Sequence, residues 1–298
     1  MAATSRRAYR RAMADTLPIG AHVREWRRRR RLSQLDLACN AEISTRHLSF
    51  IETGRAAPSR EMVLRLAEQL DVPLRDRNTL LLAAGFAPAF RERAPDDPAL
   101  LPARRGISAL LRAHEPYPAL AIDRHGTLVE ANRGVAALVA GVKGALLVPP
   151  VNVMRLGLHP DGVAPRIVNY AAWRKHRLQL QSASSADPEL VTLLEEVSGY
   201  PEPRGARAVA AAGSDVAVPV CIATAIGVLS FLSTTMVFGT PIDITLSEIA
   251  IETFLPADTR TAELLPELLA DVDRQAPQGA FRGTSSGTEP PQPPVNGA

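Results

Sequence analysis

Residues 44–55 of the sequence, STRHLSFIETGR, combine hydroxyl, guanidinium and apolar side chains at helical spacing. If the apolar positions Leu48 and Ile51 turn inward on a helix, three polar side chains face outward near its N-terminal end. These outward residues are Thr45, Arg46 and Ser49. Since arginine can bridge two acceptors of a guanine and hydroxyls reach phosphates or base edges, the pattern predicts DNA recognition.

Two short helices, 34–40 and 45–53, must position these side chains. They are separated by a tight connection, and the small residues Ala38 and Ala41 allow them to pack closely at a steep angle. This geometry is that of a helix-turn-helix, whose second helix can lie in the major groove. The helix N-termini offer backbone N–H groups to phosphate, and Arg55 beyond the second helix is a further candidate phosphate contact.

The helix-turn-helix is predicted to belong to a five-helix domain over residues 19–86. Ser33 and Ser44 are suited to cap two of the helices, and Gly85 is suited to close the last. The predicted helices are Ile19–Arg30, Gln34–Asn40, Thr45–Thr53, Arg60–Leu70 and Pro73–Ala84. We expect a flexible basic arm over residues 1–18 and a proline-rich linker over residues 87–105.

Charge and cysteine content agree with a nucleic-acid-binding module joined to a second domain. Residues 1–95 contain 18 Arg against 10 Asp and Glu, a net charge of +8. Residues 96–298 contain 16 Lys and Arg against 21 acids, a net of −5. The isolated Cys39 and Cys221 argue against a disulfide framework or a zinc site. With no secretion signal recognisable at the start, the expected location is the cytoplasm.

Residues 216–242 carry no charge and are long enough to span a bilayer. However, the segment contains prolines, glycines and many β-branched residues, which favour two buried strands joined near residues 225–227. We therefore predict a sheet rather than a membrane helix.

A mixed α+β domain is predicted over residues 106–273, with antiparallel strands and packed helices. Strands are expected at PALAID, TLVEAN, residues 216–239 and the alternating run at 242–254, and helices at 163–182 and 188–198. A short helix from Arg133 and a last helix beginning near residue 258 complete this reading. The low-complexity residues 274–298 are expected to be disordered.

Residues 33–59, SQLDLACNAEISTRHLSFIETGRAAPS, resemble the Xre/Cro-like helix-turn-helix pattern, and the resemblance spans residues 19–86. The resemblance implies that Gln34 contacts phosphate and that Thr45, Arg46 and Ser49 are base-facing. Phe50 falls at a position that often faces DNA in such proteins, although its ring could pack on a thymine methyl or on its own domain.

Two acidic residues of this stretch need separate interpretation. Glu52 resembles a catalytic acid in isolation, but the family resemblance implies a structural ion pair with Arg27. Glu42 stands where many relatives have glycine, so we expect a right-handed or otherwise unstrained backbone there.

Most of the chain resembles MmyB-like transcription regulators, on segments such as LHPDGVAPRIVNYAAWRKH, LLEEVSGYP and FGTPIDITLSEIAIETFLPAD. The resemblance implies a PAS-like ligand-binding domain and a small effector that is fatty-acid-like or otherwise hydrophobic. Within it, His159, Arg166 and Asn169 are candidates to orient a ligand head group. Alternatively, Asp161 or Gly162 caps the helix and Arg166 pairs with an acid of the same domain. Tyr170 and Trp173 are candidates for a cavity wall or for ordinary core.

No catalytic or metal site and no cofactor are expected, since GTSSG at 283–287 lies in the predicted tail and no phosphate-binding loop occurs. The combined prediction is a multidomain protein, an all-α five-helix helix-turn-helix domain followed by an α+β PAS-like domain. It would act as a homodimeric, sequence-specific regulator on a palindromic double-stranded DNA operator, with no membrane association. The alternative is a DNA-bound regulator whose second domain is a protein-interaction module without a small ligand.

Overall fold

The computed structural model describes residues 17–182, 187–203 and 217–275. Its contacts divide the chain into two units, the first made of Met1–Leu100 and Phe238–Glu248, the second of Leu101–Val237 and Ile249–Ala298. Almost all of the predicted arm (1–18) and tail (274–298) lies outside the described residues. The linker predicted at 87–105 is wrong at its end, because a helix begins at Leu101.

The regular elements alternate between helices and strands only in the second unit. The helices, in chain order, are α1 Ile19–Arg29, α2 Gln34–Asn40, α3 Thr45–Glu52, α4 Arg60–Gln69, α5 Leu74–Ala83, α6 Leu101–Ala113, α7 Arg133–Val139, α8 Val153–Leu158, α9 Tyr170–Ser182, α10 Pro188–Ser198, α11 Ile244–Ser247 and α12 Thr259–Gln275. The strands are β1 Ala119–Ile122, β2 Leu128–Ala131, β3 Val220–Thr224, β4 Gly227–Val237 and β5 Ala250–Pro256. The predicted fold class, an all-α domain followed by an α+β domain, is confirmed.

Helices α1–α5 pack around one apolar core in the first unit. Each helix contributes one stripe of aliphatic side chains to it, which is the pattern expected of amphipathic helices around a small core. The core residues are Val23, Leu37, Ala38, Ala41, Leu48, Ile51, Val63, Leu66, Ala67, Leu70, Val72, Leu80 and Leu81. The approach of α1 to the end of α3 is so close that a β-carbon at Gly20 would lie 2.3 Å from the carbonyl oxygen of Ile51.

All five helices of this bundle end in the same way. A residue with positive φ follows each helix, and the next N–H bonds back to a carbonyl five residues earlier, as in a Schellman motif. The left-handed residues are Arg31, Glu42, Gly54, Asp71 and Gly85. The closing bonds run from Leu32, Ile43, Arg55, Val72 and Phe86 to Arg27, Ala38, Phe50, Ala67 and Leu81.

The backbone expected at Glu42 was therefore wrong, because its φ is +56°. The reason lies in the next residue. Ile43 donates its N–H to the Ala38 carbonyl at 2.9 Å and packs against the core, and both contacts require the chain to reverse at Glu42. Glu42 thus occupies a conformation that glycine adopts without strain.

Residues 238–248, between β4 and β5, complete the first unit. They contain α11, whose first turn is capped by Asp243. The alternating strand predicted over 242–254 is wrong for its first half, since regular strand begins only at Ala250. Four residues of helix and the first five of the strand share this run because short alternation does not distinguish the two.

Five antiparallel strands form a single sheet in the second unit, in the order β2-β1-β5-β4-β3. β3 pairs only with residues 227–231 of β4, whereas β5 pairs with residues 231–237. The expectation that residues 216–242 form strands rather than a membrane helix is confirmed for β3 and β4. Among the described residues, no helix has the length and apolarity needed to cross a membrane.

One face of this sheet supports the core of the second unit. Leu229 and Phe231 of β4 are fully buried there, together with Leu158 and Tyr170 from the helices. The helix predicted over 163–182 is interrupted, because a short 3₁₀ turn at Ala164–Arg166 precedes α9. Ile167 forms a bridge to Ile222, so this interruption lies against the outer edge of β3.

Candidate DNA interface and ligand-binding site

Serine side chains determine where α2 and α3 begin. Ser33 Oγ accepts from Asp36 N at 3.1 Å while Asp36 Oδ2 accepts from Ser33 N at 2.9 Å, which is a capping box. Ser44 Oγ accepts from His47 N at 3.1 Å. These caps define the start of each helix and hence which side chains of α3 face away from the core.

The outward surface of α3 contains the residues that the sequence placed there. Leu48 and Ile51 are fully buried, whereas Arg46 is exposed and Thr45 and Ser49 are partly exposed. A helix of this length with one apolar stripe inward can present its other side to the major groove. The arrangement provides one guanidinium and two hydroxyls for hydrogen bonds to bases or phosphates.

Phe50 lies between two arginine side chains. The guanidinium carbon of Arg46 is 5.3 Å from the centre of its ring, and that of Arg55 is 6.0 Å away. Both distances allow a cation–π attraction, which is weak at exposed sites. Arg55 also donates its backbone N–H to the Phe50 carbonyl at 2.8 Å. The ring therefore limits the orientations of two guanidinium groups, that of Arg46 on α3 and that of Arg55 just after it.

A buried carboxylate joins α1, α2 and α3. Glu52 accepts from Arg27 at 2.7 and 3.0 Å and from the amide of Gln34 at 2.8 Å. Burial would raise the pKa of Glu52, but the hydrogen bonds from Arg27 and Gln34 outweigh it and leave the pKa lowered. Gln34, expected at phosphate, thus has one amide N–H committed to Glu52 and a second one available.

Asn169 and Tyr170, at the start of α9, bond to neighbouring backbone. Asn169 donates to the Pro219 carbonyl at 2.7 Å and accepts from Cys221 N at 3.0 Å, so it holds the edge of β3. The Tyr170 hydroxyl donates to the Leu158 carbonyl at 3.2 Å. Burial raises the pKa of Tyr170, which therefore remains a neutral donor.

Arg166 is a partly buried cation of a different kind. It donates to the carbonyl of Leu138, near the C-terminal end of α7, where a cation is electrostatically favourable. Across the three described stretches of chain, no carboxylate forms an ion pair with Arg166, and burial lowers the pKa of its guanidinium. The structural alternative considered for this residue, pairing with an acid of its own domain, therefore has no contact to support it within those stretches.

His159 and Trp173 lie in different surroundings. His159 follows α8, accepts from Asp161 N at 3.0 Å and stacks edge-on against Tyr200 at 4.9 Å. Trp173 packs on the core, and a β-carbon at Gly157 would be 3.2 Å from its ring. Of the five candidate ligand residues, Arg166 is thus the one whose charge is left uncompensated by the described residues.

A buried ion pair was missed by the sequence analysis. Arg177 of α9 donates to Glu252 of β5 at 2.5 Å, and both side chains are largely buried. Arg177 follows Trp173 by one helical turn, and Glu252 interrupts the apolar alternation of its strand. Those two local signals were present, but only the fold brings the residues together.

Comparison with protein families gives two matches along the chain. Residues 103–268, more than half of the sequence, match the family described as MmyB-like transcription regulator ligand binding domain. Residues 18–80 match a helix-turn-helix domain. A search of curated proteins gave no match.

Proposed function

The chain belongs to the MmyB-like transcription regulators, and from this premise we propose how its two parts act. It is a DNA-binding transcription regulator with a ligand-binding domain. We propose that it acts in the cytoplasm, that α3 reads base sequence, and that the effector is a hydrophobic molecule with an anionic head group. The second domain binds this effector and does not transform it.

Base reading is assigned to Thr45, Arg46 and Ser49, with Phe50 as the residue that orients Arg46. The exposed position of Arg46 on a helix whose opposite face is buried supports this assignment. Arg55 and the second amide N–H of Gln34 are assigned to phosphate. Contacts of the latter kind position a protein on DNA without specifying sequence.

A single short recognition helix contacts few base pairs, so we propose that two copies bind a palindromic operator. Half-sites about one helical turn apart, ~34 Å, would suit two such helices. Effector binding would then change the spacing or orientation of the two recognition helices, and with it the affinity for the operator.

The anionic head group is proposed from one observation, the partly buried Arg166. A desolvated guanidinium whose only hydrogen-bonded partner among the described residues is a carbonyl would gain from a carboxylate, which can accept two of its N–H groups. An apolar tail would suit the core of Leu, Val and aromatic side chains to which Leu138, the partner of Arg166, belongs. A fatty-acid-like molecule combines both features.

Native mass spectrometry on the gently purified full chain tests the effector proposal. We expect an extra mass on the wild-type protein and, after denaturation, release of an anionic amphiphile. Arg166→Gln should release much less of it, whereas Arg133→Gln, which changes an arginine more exposed than Arg166, should release as much as the wild type. Release of an uncharged molecule, or equal amounts from both variants, would reject the head-group assignment.

One observation favours the second candidate, a protein-interaction module without ligand. The side chains of Val228, Leu232, Met236 and Leu255 share one face of β4 and β5, and each is more than a third exposed. Together we call them the apolar patch; exposed patches of this kind often contact other proteins. If the purified chain carries no small molecule and Leu232→Asp abolishes binding of a co-purifying protein, this candidate replaces the first.

A further inference from the structure

Residues 238–248 connect β4 to β5 but belong to the DNA-binding unit. Val237 and Ala250 are paired opposite each other at the end of the two strands, so a tight turn of a few residues would have closed the hairpin. The chain instead makes an eleven-residue excursion, Phe238–Glu248, that we name the clasp. The contacts of the clasp should therefore explain why it is longer than a tight turn.

Arg75 of α5 is the main charged partner of the clasp. Its guanidinium donates to both carboxylate oxygens of Glu248, at 2.7 and 2.9 Å, and to both of Glu92, at 2.9 and 2.6 Å. Hydrogen bonds to Glu248 and Glu92 raise the pKa of Arg75 further above its usual range. Two bidentate pairs on one guanidinium fix its orientation far better than a single surface ion pair does.

A second set of contacts holds the middle of the clasp. Ile244 N donates to the Arg91 carbonyl at 2.8 Å, and Thr245 Oγ1 donates to the Arg93 carbonyl at 2.5 Å. Arg93 in turn donates to the buried carboxylate of Asp243 at 2.5 Å. Backbone pairing and a buried ion pair together make the clasp an integral part of the unit rather than a loop resting on it.

From α5, packing leads to the recognition helix within the same unit. α5 contacts α1, and α1 contacts α3. The close approach at Gly20 and the Arg27–Glu52 ion pair fix α1 against α3. A displacement of the clasp would therefore be passed on through rigid, interlocked elements.

Through its two ends, the clasp continues into β4 and β5, two adjacent inner strands of the sheet in the ligand-binding unit. β4 carries Leu229 and Phe231 into the core, and β5 carries Glu252, the partner of Arg177. A ligand that repacks this core must act on β4 and β5. Because the clasp connects the end of β4 to the start of β5, a shift of these strands also acts on the clasp.

We propose that the clasp transmits the state of the ligand-binding core to the recognition helix. The inference rests on the proposed function, because it presumes a regulator whose DNA affinity responds to its second domain. Coupling between two sites is reciprocal, so DNA bound at α3 must also affect β4 and β5. This reciprocity allows a test that needs no knowledge of the effector.

The test is amide hydrogen exchange of the full chain, with and without a DNA duplex selected by the wild-type protein from a random pool. In the wild type, we expect DNA to change the exchange rates of the β4 and β5 amides by about fivefold or more. In Arg75→Gln, the same duplex should protect α3 while β4 and β5 no longer respond. Arg155→Gln, which breaks a comparably bidentate pair with Glu196 inside the ligand-binding unit, should respond as the wild type does.

The outcomes separate the inference from the function on which it rests. If no duplex is selected, the proposed DNA reading fails. If DNA protects α3 but leaves β4 and β5 unchanged in the wild type, or if their response persists in Arg75→Gln, the clasp is not the route. Should Arg75→Gln fail to fold, Glu248→Gln removes the same pair while leaving Arg75 bonded to Glu92, and is expected to lose the β4 and β5 response as well.

Discussion

At the scale of single residues, the proposed DNA-facing surface depends on how firmly its cations are held. Arg46 and Arg55 both lie within 6.0 Å of the Phe50 ring, and neither has a carboxylate partner among the hydrogen bonds of the described residues. Both guanidinium groups therefore remain free to meet phosphate or base, while the ring limits the orientations they sample. Preorganisation of this kind lowers the entropy lost when DNA binds.

Replacing Phe50 by leucine should weaken DNA binding without unfolding the domain. The change removes two cation–π contacts, each worth about 0.5–1 kcal/mol at an exposed site, and retains an apolar side chain. Because both contacts are also present in the free protein, only their part in orienting the two cations affects binding. We therefore expect a loss of about two- to fivefold in affinity, and Phe50→Tyr, which keeps the aromatic face, should restore it. Titrations with a fluorescent duplex at fixed salt measure both; equal affinities for the leucine and tyrosine variants would contradict the role of the ring.

Glu52 should make the stability of the first unit sensitive to acid. Its folded-state pKa is lowered, so its ionised form stabilises the fold above the unfolded-state pKa of about 4.3. That contribution disappears as the pH falls through the lowered folded-state pKa. Glu52→Gln should lose roughly 2–4 kcal/mol at neutral pH and show a flatter acid limb. Denaturant unfolding between pH 7 and pH 2.5 checks this; parallel curves for the two proteins would contradict it.

At the scale of elements, the bounds of helices α1–α5 were readable from the sequence to within one residue, but the left-handed closure of three of them was not. Serine caps are local hydrogen bonds, so Ser33 and Ser44 indicate the first residues of α2 and α3 from the sequence alone. The left-handed closures at Arg31, Glu42 and Asp71 use residues that usually avoid positive φ. Their conformation is imposed by Leu32, Ile43 and Val72, which must return to the core, and that requirement is tertiary.

Glu42→Gly should therefore stabilise the helix-turn-helix. A left-handed conformation costs a non-glycine residue roughly 1–2 kcal/mol, and the greater freedom of glycine in the unfolded chain returns about half of that. Glu42 is exposed and forms no hydrogen bond through its side chain among the described contacts, so the net gain should be about 0.5–1 kcal/mol. Thermal unfolding measures it, with Glu42→Ala as the control that should not gain; a stabilised alanine variant would implicate the charge instead.

At the scale of the whole molecule, chain order and unit composition do not coincide. The boundary between a basic helical part and an acidic mixed part could be predicted from charge and proline content. The membership of residues 238–248 in the first unit could not, since Arg75 and Glu248 are 173 positions apart and nothing local links them. For the same reason, the Arg177–Glu252 pair is visible only in the fold.

A fragment ending at residue 100 should consequently be less stable than a fragment that keeps the clasp. We compare residues 1–100 alone with residues 1–100 to which residues 238–248 are joined by a Gly-Ser linker, and we expect the linked version to melt about 4–8 °C higher. A gain of about 1 kcal/mol in the free energy of unfolding produces a shift of this size in a domain of this length. The linked version carrying Arg75→Gln should lose most of the gain. Identical melting temperatures for all three would show that the clasp adds nothing to the stability of the unit.

The central claim, a regulator that reads DNA sequence through α3, is tested most directly by selecting duplexes from a random pool with the full chain. For the wild type, we predict enrichment of an inverted repeat with half-site centres about one helical turn apart. Arg46→Ala should lose preference at one position per half-site, at a cost of ~1–3 kcal/mol on the best duplex. No enrichment over the starting pool, or an equal loss by Arg46→Ala on every duplex, would contradict sequence reading by this helix.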